Sequence, residues 1–196
     1  MKRNIITSIL MTIVTTILLG LVYPLVVTAL AQVLFPSKAN GQLIVQGGKV
    51  IGSRIIAQPF TGAGYFHPRG SAAGTNGYDA ANSGATNYGP TNQKLLDRVN
   101  ADVAAAQTEN PGKPVPADYV TTSAPGLDPD ITPANAEFQV PRVAKERGIS
   151  VDKAMELVQQ HIEERQFHLL GEARVNVLEL NLDLDSKYPL QKRASR

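Results

Sequence analysis

Several constellations of side chains along the chain are of a type that could do chemistry. His67, Arg69 and Ser71 fall in a glycine-rich stretch, where backbone amides and a guanidinium can cradle an anion. The plainer reading is that His67 and Arg69 hydrogen-bond this loop to its own domain. Asp128 and Asp130 could divide acid and base work. Their setting, Asp128-Pro129 followed by Thr132-Pro133, also reads as a turn and a helix cap. His161, Glu164 and His168 share roughly one helix face, which could hold a metal or simply be a solvated polar face. We expect no metal. Tyr65, Phe66, Tyr78 and Tyr88 are either a partner-facing aromatic cluster or core packing under a long loop.

The stronger catalytic signatures are missing. Lys49 follows Gly48, but Leu43 and Val50 stand where a phosphate-binding loop needs Gly and Ser or Thr. There is no G-x-S-x-G elbow, no Asp-Lys-Thr-Gly phosphorylation loop and no Thr-Val-Gly-Tyr-Gly ion filter. The absence of Cys excludes disulfides, thiolate metal sites and a thiol nucleophile. The chain therefore reads as a non-enzyme. The competing view is a membrane-anchored exported enzyme using the glycine-rich loop or the Asp128/Asp130 turn.

The elements that must position these groups begin with a membrane segment. In a chain of 196 residues, no charge occurs from Asn4 to Ser37. A bilayer core needs about 20 helical residues, so this run is long enough to span. We place an anchor at residues 1–36, with Ser8, Leu19, Gly20, Tyr23, Pro24 and Leu30 along it. Thr7, Thr12, Thr15, Thr16 and Thr28 can return their hydroxyls to the helix backbone, and Pro24 predicts a kink near Gly20. The rival is a signal peptide cleaved at Ala29-Leu30-Ala31, but the apolar run before it exceeds the usual length of about 7–15 residues. Lys2 and Arg3 hold the N-terminus in the cytoplasm, which sends residues 37–196 outside. These two residues account for the net charge of +2, so the remainder is balanced and offers no basic stripe for nucleic acid.

Residues 37–196 read as one α+β domain. Gly47-Gly48 predicts a tight hairpin between 43–46 and 49–52, with Arg54–Ala57 extending its second strand. Residues 60–91 are loop-like, and the embedded Tyr65, Phe66, Tyr78 and Tyr88 favour an ordered loop over a disordered one. Thr91 is placed to cap a helix to about Thr108. A helix from Thr132-Pro133 to Gly148 should be broken or kinked at Pro141, and Ser150 starts another with Ala154, Leu157, Val158 and Ile162 inward. Residues 175–182 alternate as a half-buried strand, with a phase shift at Val177-Leu178 read as a bulge.

Fragments in order along the chain carry a family resemblance. They are Gly20-Leu21-Val22-Tyr23-Pro24-Leu25, Phe35-Pro36, Gly64-Tyr65-Phe66-His67, Val120-Thr121-Thr122-Ser123, Gly126-Leu127-Asp128, Ile131-Thr132-Pro133, Gln139-Val140-Pro141-Arg142-Val143-Ala144 and Val175–Leu182. The chain resembles the KdpC family, subunits of the bacterial Kdp potassium-transporting ATPase. The resemblance implies a non-catalytic subunit of the inner membrane. Its partners would be the channel-like KdpA, the P-type ATPase KdpB and the small KdpF. It also implies a role as a catalytic chaperone raising the ATP affinity of KdpB, with a glutamine, matched here by Gln139, contacting nucleotide. No cofactor would be bound tightly, and ATP would be met through the ATPase subunit. Where the family has Arg-Pro-Ser-Ala, this chain has Arg69-Gly70-Ser71-Ala72, which predicts a freer loop. Tyr65, Phe66, His67, Arg69, Tyr78 and Tyr88 are the expected partner-facing loop positions. An exported domain cannot reach cytoplasmic ATP, so the expected mode is stabilisation of the assembly with an indirect effect on ATP.

Overall fold

The computed structural model describes residues 1–190, so the end of the expected 37–196 domain lies outside the described residues. The chain divides into two compact units, Met1–Ile51 and Gly52–Arg196.

In the first unit, α1 (Lys2–Ile17) and α2 (Tyr23–Leu34) are joined by a five-residue π-helical stretch, Leu18–Val22. Together they form one helical run of 33 residues, long and apolar enough to cross a membrane. The expected disturbance near Gly20 takes this form. Pro24 has no N–H to donate, and the ladder widens by one residue just before it. Thr7, Ser8, Thr12 and Thr15 return their hydroxyls to carbonyls four residues back at 2.8–2.9 Å, so these polar groups carry their own partners. Leu30 lies on the exposed surface of α2. At the exit, Gln32 and Asn40 exchange amide hydrogen bonds at 3.2 Å across the short helix α3 (Pro36–Ala39). The hairpin β1 (Leu43–Gln46) and β2 (Lys49–Ser53) follows, the last two residues of β2 being counted in the second unit, with Gly47 and Gly48 both at positive φ as the turn demands. Beyond Ser53 the chain turns instead of extending β2.

The second unit is a small mixed fold. The elements α4 (Gln93–Glu109), α5 (Ala117–Val120), β3 (Asp130–Ile131), α6 (Pro133–Arg147), α7 (Val151–Gln160), β4 (Ile162–Glu163), β5 (Arg174–Asn176) and α8 (Val177–Lys187) follow in order. The sheet is antiparallel in the order β3-β5-β4, with Ile131 and Ile162 both opposite Val175. Its core combines Val140, Val143 and Ala144 of α6, Leu157 and Val158 of α7, Val175 of β5, Leu180 and Leu184 of α8, and Phe66 from the glycine-rich loop. Side-chain caps begin α4 at Asn92, one residue after the expected Thr91, and begin α6 at Thr132 and α7 at Ser150. Gly148, at φ +66°, ends α6.

Two further expectations fail for definite reasons. Pro141 does not break α6, which runs on from Pro133 to Arg147 with Pro141 exposed and its neighbours Val140 and Val143 held in the core. Near this site Asn110 donates to the Phe138 carbonyl at 3.0 Å. Residues 175–182 are not a strand with a bulge. The phase shift at Val177 is a change of period, from β5 to α8, whose buried residues Val177, Leu178, Leu180, Asn181 and Leu184 follow a helical repeat. Asn176 caps α8 by accepting from Glu179 N at 3.1 Å.

Candidate functional site

The glycine-rich loop is ordered because helix side chains hold its backbone. Among the described residues the run from Ala63 to His67 pairs with no strand, so its amides and carbonyls need other partners once buried. Arg142 donates to the carbonyls of Ala63 at 2.7 Å and Tyr65 at 2.8 Å, and Arg147 Nε donates to that of Gly64 at 2.7 Å. Asn181 of α8 accepts from Phe66 N at 2.9 Å and donates back to Phe66 O at 2.8 Å. Gln139 of α6 does the same for His67, accepting from N at 2.7 Å and donating to O at 3.1 Å. Two side-chain amides thus do for two consecutive residues what a neighbouring strand would do. We call this arrangement the clasp.

The clasp is itself braced. Gln139 is fully buried, and it also donates to Asn135 Oδ1 at 2.8 Å and accepts from Arg142 Nη2 at 2.7 Å. Arg142 pairs with Glu109 at 2.8 Å, and Arg147 pairs with Asp185 at 2.7 Å. The Arg147 guanidinium lies 4.6 Å from the Tyr65 ring centroid, and Tyr65 donates to Asp185 at 3.1 Å. His67 is pushed below the usual histidine range, first by burial and then by the charge of Arg142. It is therefore held neutral, with Nε2 3.0 Å from the Gly62 carbonyl. Beside it a groove of about 450 Å³ is lined by Tyr78, Asp102, Glu109 and Tyr119. Burial and then the Glu109 charge push Tyr119 up to about 12, so it stays a neutral donor to Glu109 at 3.1 Å.

The rest of the loop is laced to residues 121–128. Arg69 pairs with Asp128 at 3.1 Å and donates to Thr122 O at 3.3 Å. Ser71 donates to Gly126 O at 2.6 Å and accepts from Tyr78 N at 2.7 Å, while Tyr78 donates to Arg69 O at 2.9 Å. Gly70 does not free the loop: Ser123 N donates to its carbonyl at 3.0 Å, and the space beside its Cα is filled by Thr122. His67, Arg69 and Ser71 thus tie the loop to its own domain, as the plainer reading has it. Asp128 and Asp130 are turn and sheet residues. Asp130 N donates to Asp128 Oδ1 at 3.1 Å, and the Asp130 carboxylate meets Arg174 and Asn176, each at 3.1 Å.

The polar face expected at His161, Glu164 and His168 does not exist as a helix face, since α7 ends at Gln160 and the chain enters β4. Among the described residues no group of three or more His, Cys, Asp or Glu is placed to hold a metal. The expected aromatic cluster divides: Phe66 is fully buried, Tyr65 and Tyr78 are half-buried, and Tyr88 is exposed. Asn135, Arg142, Arg147 and Asn181 complete the clasp and its bracing without any motif in the sequence that marks them. The available signal was polar side chains at core-phase positions, as with Asn135 and Gln139 beside Ala136 and Val140.

Comparison with known proteins bears on both units. The family model for KdpC, described as K+-transporting ATPase, c chain, matches residues 5–186. The chain belongs to the KdpC family. Among its KdpC relatives is the potassium-transporting ATPase KdpC subunit of Koribacter versatilis, 67% identical over 190 residues, which are 97% of this chain and 98% of the relative. The KdpC subunit of Rhodospirillum rubrum is 58% identical over 177 residues, 89% of this chain and 91% of the relative. That of Acidobacterium capsulatum is 53% identical over 182 residues, 93% and 97% respectively. The KdpC match takes in the apolar helix from Ile5 onward and every clasp residue. As a KdpC chain, the protein is a subunit of a potassium-transporting ATPase.

Proposed function

We propose that the chain is an accessory, non-catalytic subunit that stabilises the ATPase assembly and tunes its nucleotide affinity from a distance. The apolar helix anchors it in the bacterial inner membrane beside the channel-like KdpA, the P-type ATPase KdpB and the small KdpF. The cationic Lys2 and Arg3 stay in the cytoplasm, and the domain lies on the external face. The observation that carries this reading is the closed amide of Gln139. It is fully buried and bonded to His67, Asn135 and Arg142, so its role is to hold the loop rather than to meet nucleotide. Any gain in ATP affinity then passes through conformation, where couplings of about 1–3 kcal/mol are typical.

Topology tests this reading. The chain has no Cys, so Gln107→Cys on the exposed face of α4 reports alone. Labelling in intact cells by a membrane-impermeant thiol reagent is expected. Protection lifted only by lysis would put the domain beside cytoplasmic ATP and refute an indirect effect.

A further inference from the structure

The link between β4 and β5 carries an apolar tip that stays exposed among the described residues. Gln166 and Leu170 exchange both backbone hydrogen bonds at 2.9 Å, and Leu169 N donates to Gln166 O at 3.1 Å. The turn they close has Phe167 at φ +54° and His168 at φ +57°. Two positive φ values at the centre of a turn suit Asn and Gly; for a bulky residue such as Phe they are an outlier. Strain of this kind persists where the surroundings hold it and gathers at functional positions. The side chains it presents are apolar and open: Phe167 is 89% exposed, Leu169 76% and Leu170 56%. At its root the tip is stiffened by the Arg165–Glu172 ion pair and by the pairing of β4 with β5.

We propose that residues 166–170 are a docking finger that seats in an uncharged, apolar groove on another protein subunit of the same ATPase. The inference rests on the assembly role above and names its contact. Charge selects the occupant. Residues 162–174 contain three acids, Glu163, Glu164 and Glu172, against two bases, Arg165 and Arg174. Recruitment to a lipid surface by charge needs a cluster of basic residues, and this stem, at net −1, has none. The tip itself carries no Asp, Glu, Lys or Arg. The strained turn points the same way, since a fixed shape aids binding to a groove of fixed shape and gives nothing against fluid lipid.

The test is made on the complete complex in native membranes. Phe167→benzoylphenylalanine, irradiated there, is expected to cross-link to another protein subunit. Adducts to lipid only, or no adduct while the other subunits still co-purify, would overturn the finger and leave the assembly role standing. Failure of the unaltered chain to co-purify with any other subunit would overturn both. A second variant separates docking from folding. Phe167→Asn with His168→Gly and Leu169→Thr places favoured residues in the turn and removes the apolar tip. Its thermal stability is expected to equal or exceed that of the parent, while recovery of the other subunits after detergent washing falls about tenfold. Unchanged recovery would overturn the proposal.

Discussion

Asn181→Ala removes half of the clasp with one substitution. Asn181 is 1% exposed, and its amide is the hydrogen-bond partner of both Phe66 N and Phe66 O. Truncation leaves a buried donor and a buried acceptor unpaired, each at a cost of roughly 1–3 kcal/mol, or about 2–6 together. Two effects reduce this. Ala is the better helix former in α8 by up to about 0.7 kcal/mol, and a water entering the vacated space recovers part of the lost bonding. The net expectation is a loss of about 3 kcal/mol, measured by urea unfolding of the full chain in detergent micelles. Asn100→Ala, on the exposed side of α4, is the control and should change stability by no more than about 0.5 kcal/mol. Hydrogen exchange gives a local reading, because the amides of Phe66 and His67 donate to the side-chain oxygens of Asn181 and Gln139. Exchange at both should quicken in Asn181→Ala and remain slow in the control. A loss under about 1 kcal/mol, with unchanged exchange at these two amides, would refute the clasp as the support of the loop.

Other outcomes follow from the same geometry. Burial and Arg142 lower the pKa of His67 in the fold, so the unfolded chain binds more protons below about pH 6.5. Stability is therefore lost as pH falls from there through the lower folded value, and His67→Gln should flatten that part of a thermal-melt series. Asp130 behaves oppositely, because burial raises its pKa in the fold despite the hydrogen bond from Asn176 and the charge of Arg174. Its contribution grows as pH falls through the raised folded value, and Asp130→Asn should remove that component from the same series. Gly126→Ala meets Ala73 backbone nitrogen at 2.8 Å and Gly84 oxygen at 3.0 Å while holding φ +70°, which should cost about 2–3 kcal/mol in urea unfolding. Ser150→Ala removes the cap on Lys153 N and should cost about 1 kcal/mol.

Local signals were legible in the sequence. Thr132-Pro133, Gly148 and Ser150 mark the ends of α6 and α7 through chemistry confined to a few residues. The Gly47-Gly48 hairpin is legible for the same reason. Residues 175–182 misled because a short strand feeding directly into a helix keeps its apolar residues nearly continuous. The Asn176-x-x-Glu179 pattern, a capping signature, was the clue to the change. The break expected at Pro141 was overridden by tertiary packing of the rest of α6. The clasp was not legible, because its partners lie far apart in sequence: 72 residues separate His67 from Gln139 and 115 separate Phe66 from Asn181. Only the polar residues on a buried helix face hinted that α6 and α8 hold something other than a hydrophobic neighbour.

The most direct test of the assembly role is truncation within the working complex. A chain ending at Asn40 keeps the apolar helix and its exit and loses everything that follows. Affinity purification through another subunit, together with potassium-stimulated ATPase activity across a potassium series, gives both readings from one preparation. Reduced recovery of the truncated chain and a weakened response to potassium are expected. Full recovery with an unchanged potassium response would contradict a role for the domain in stabilising the pump.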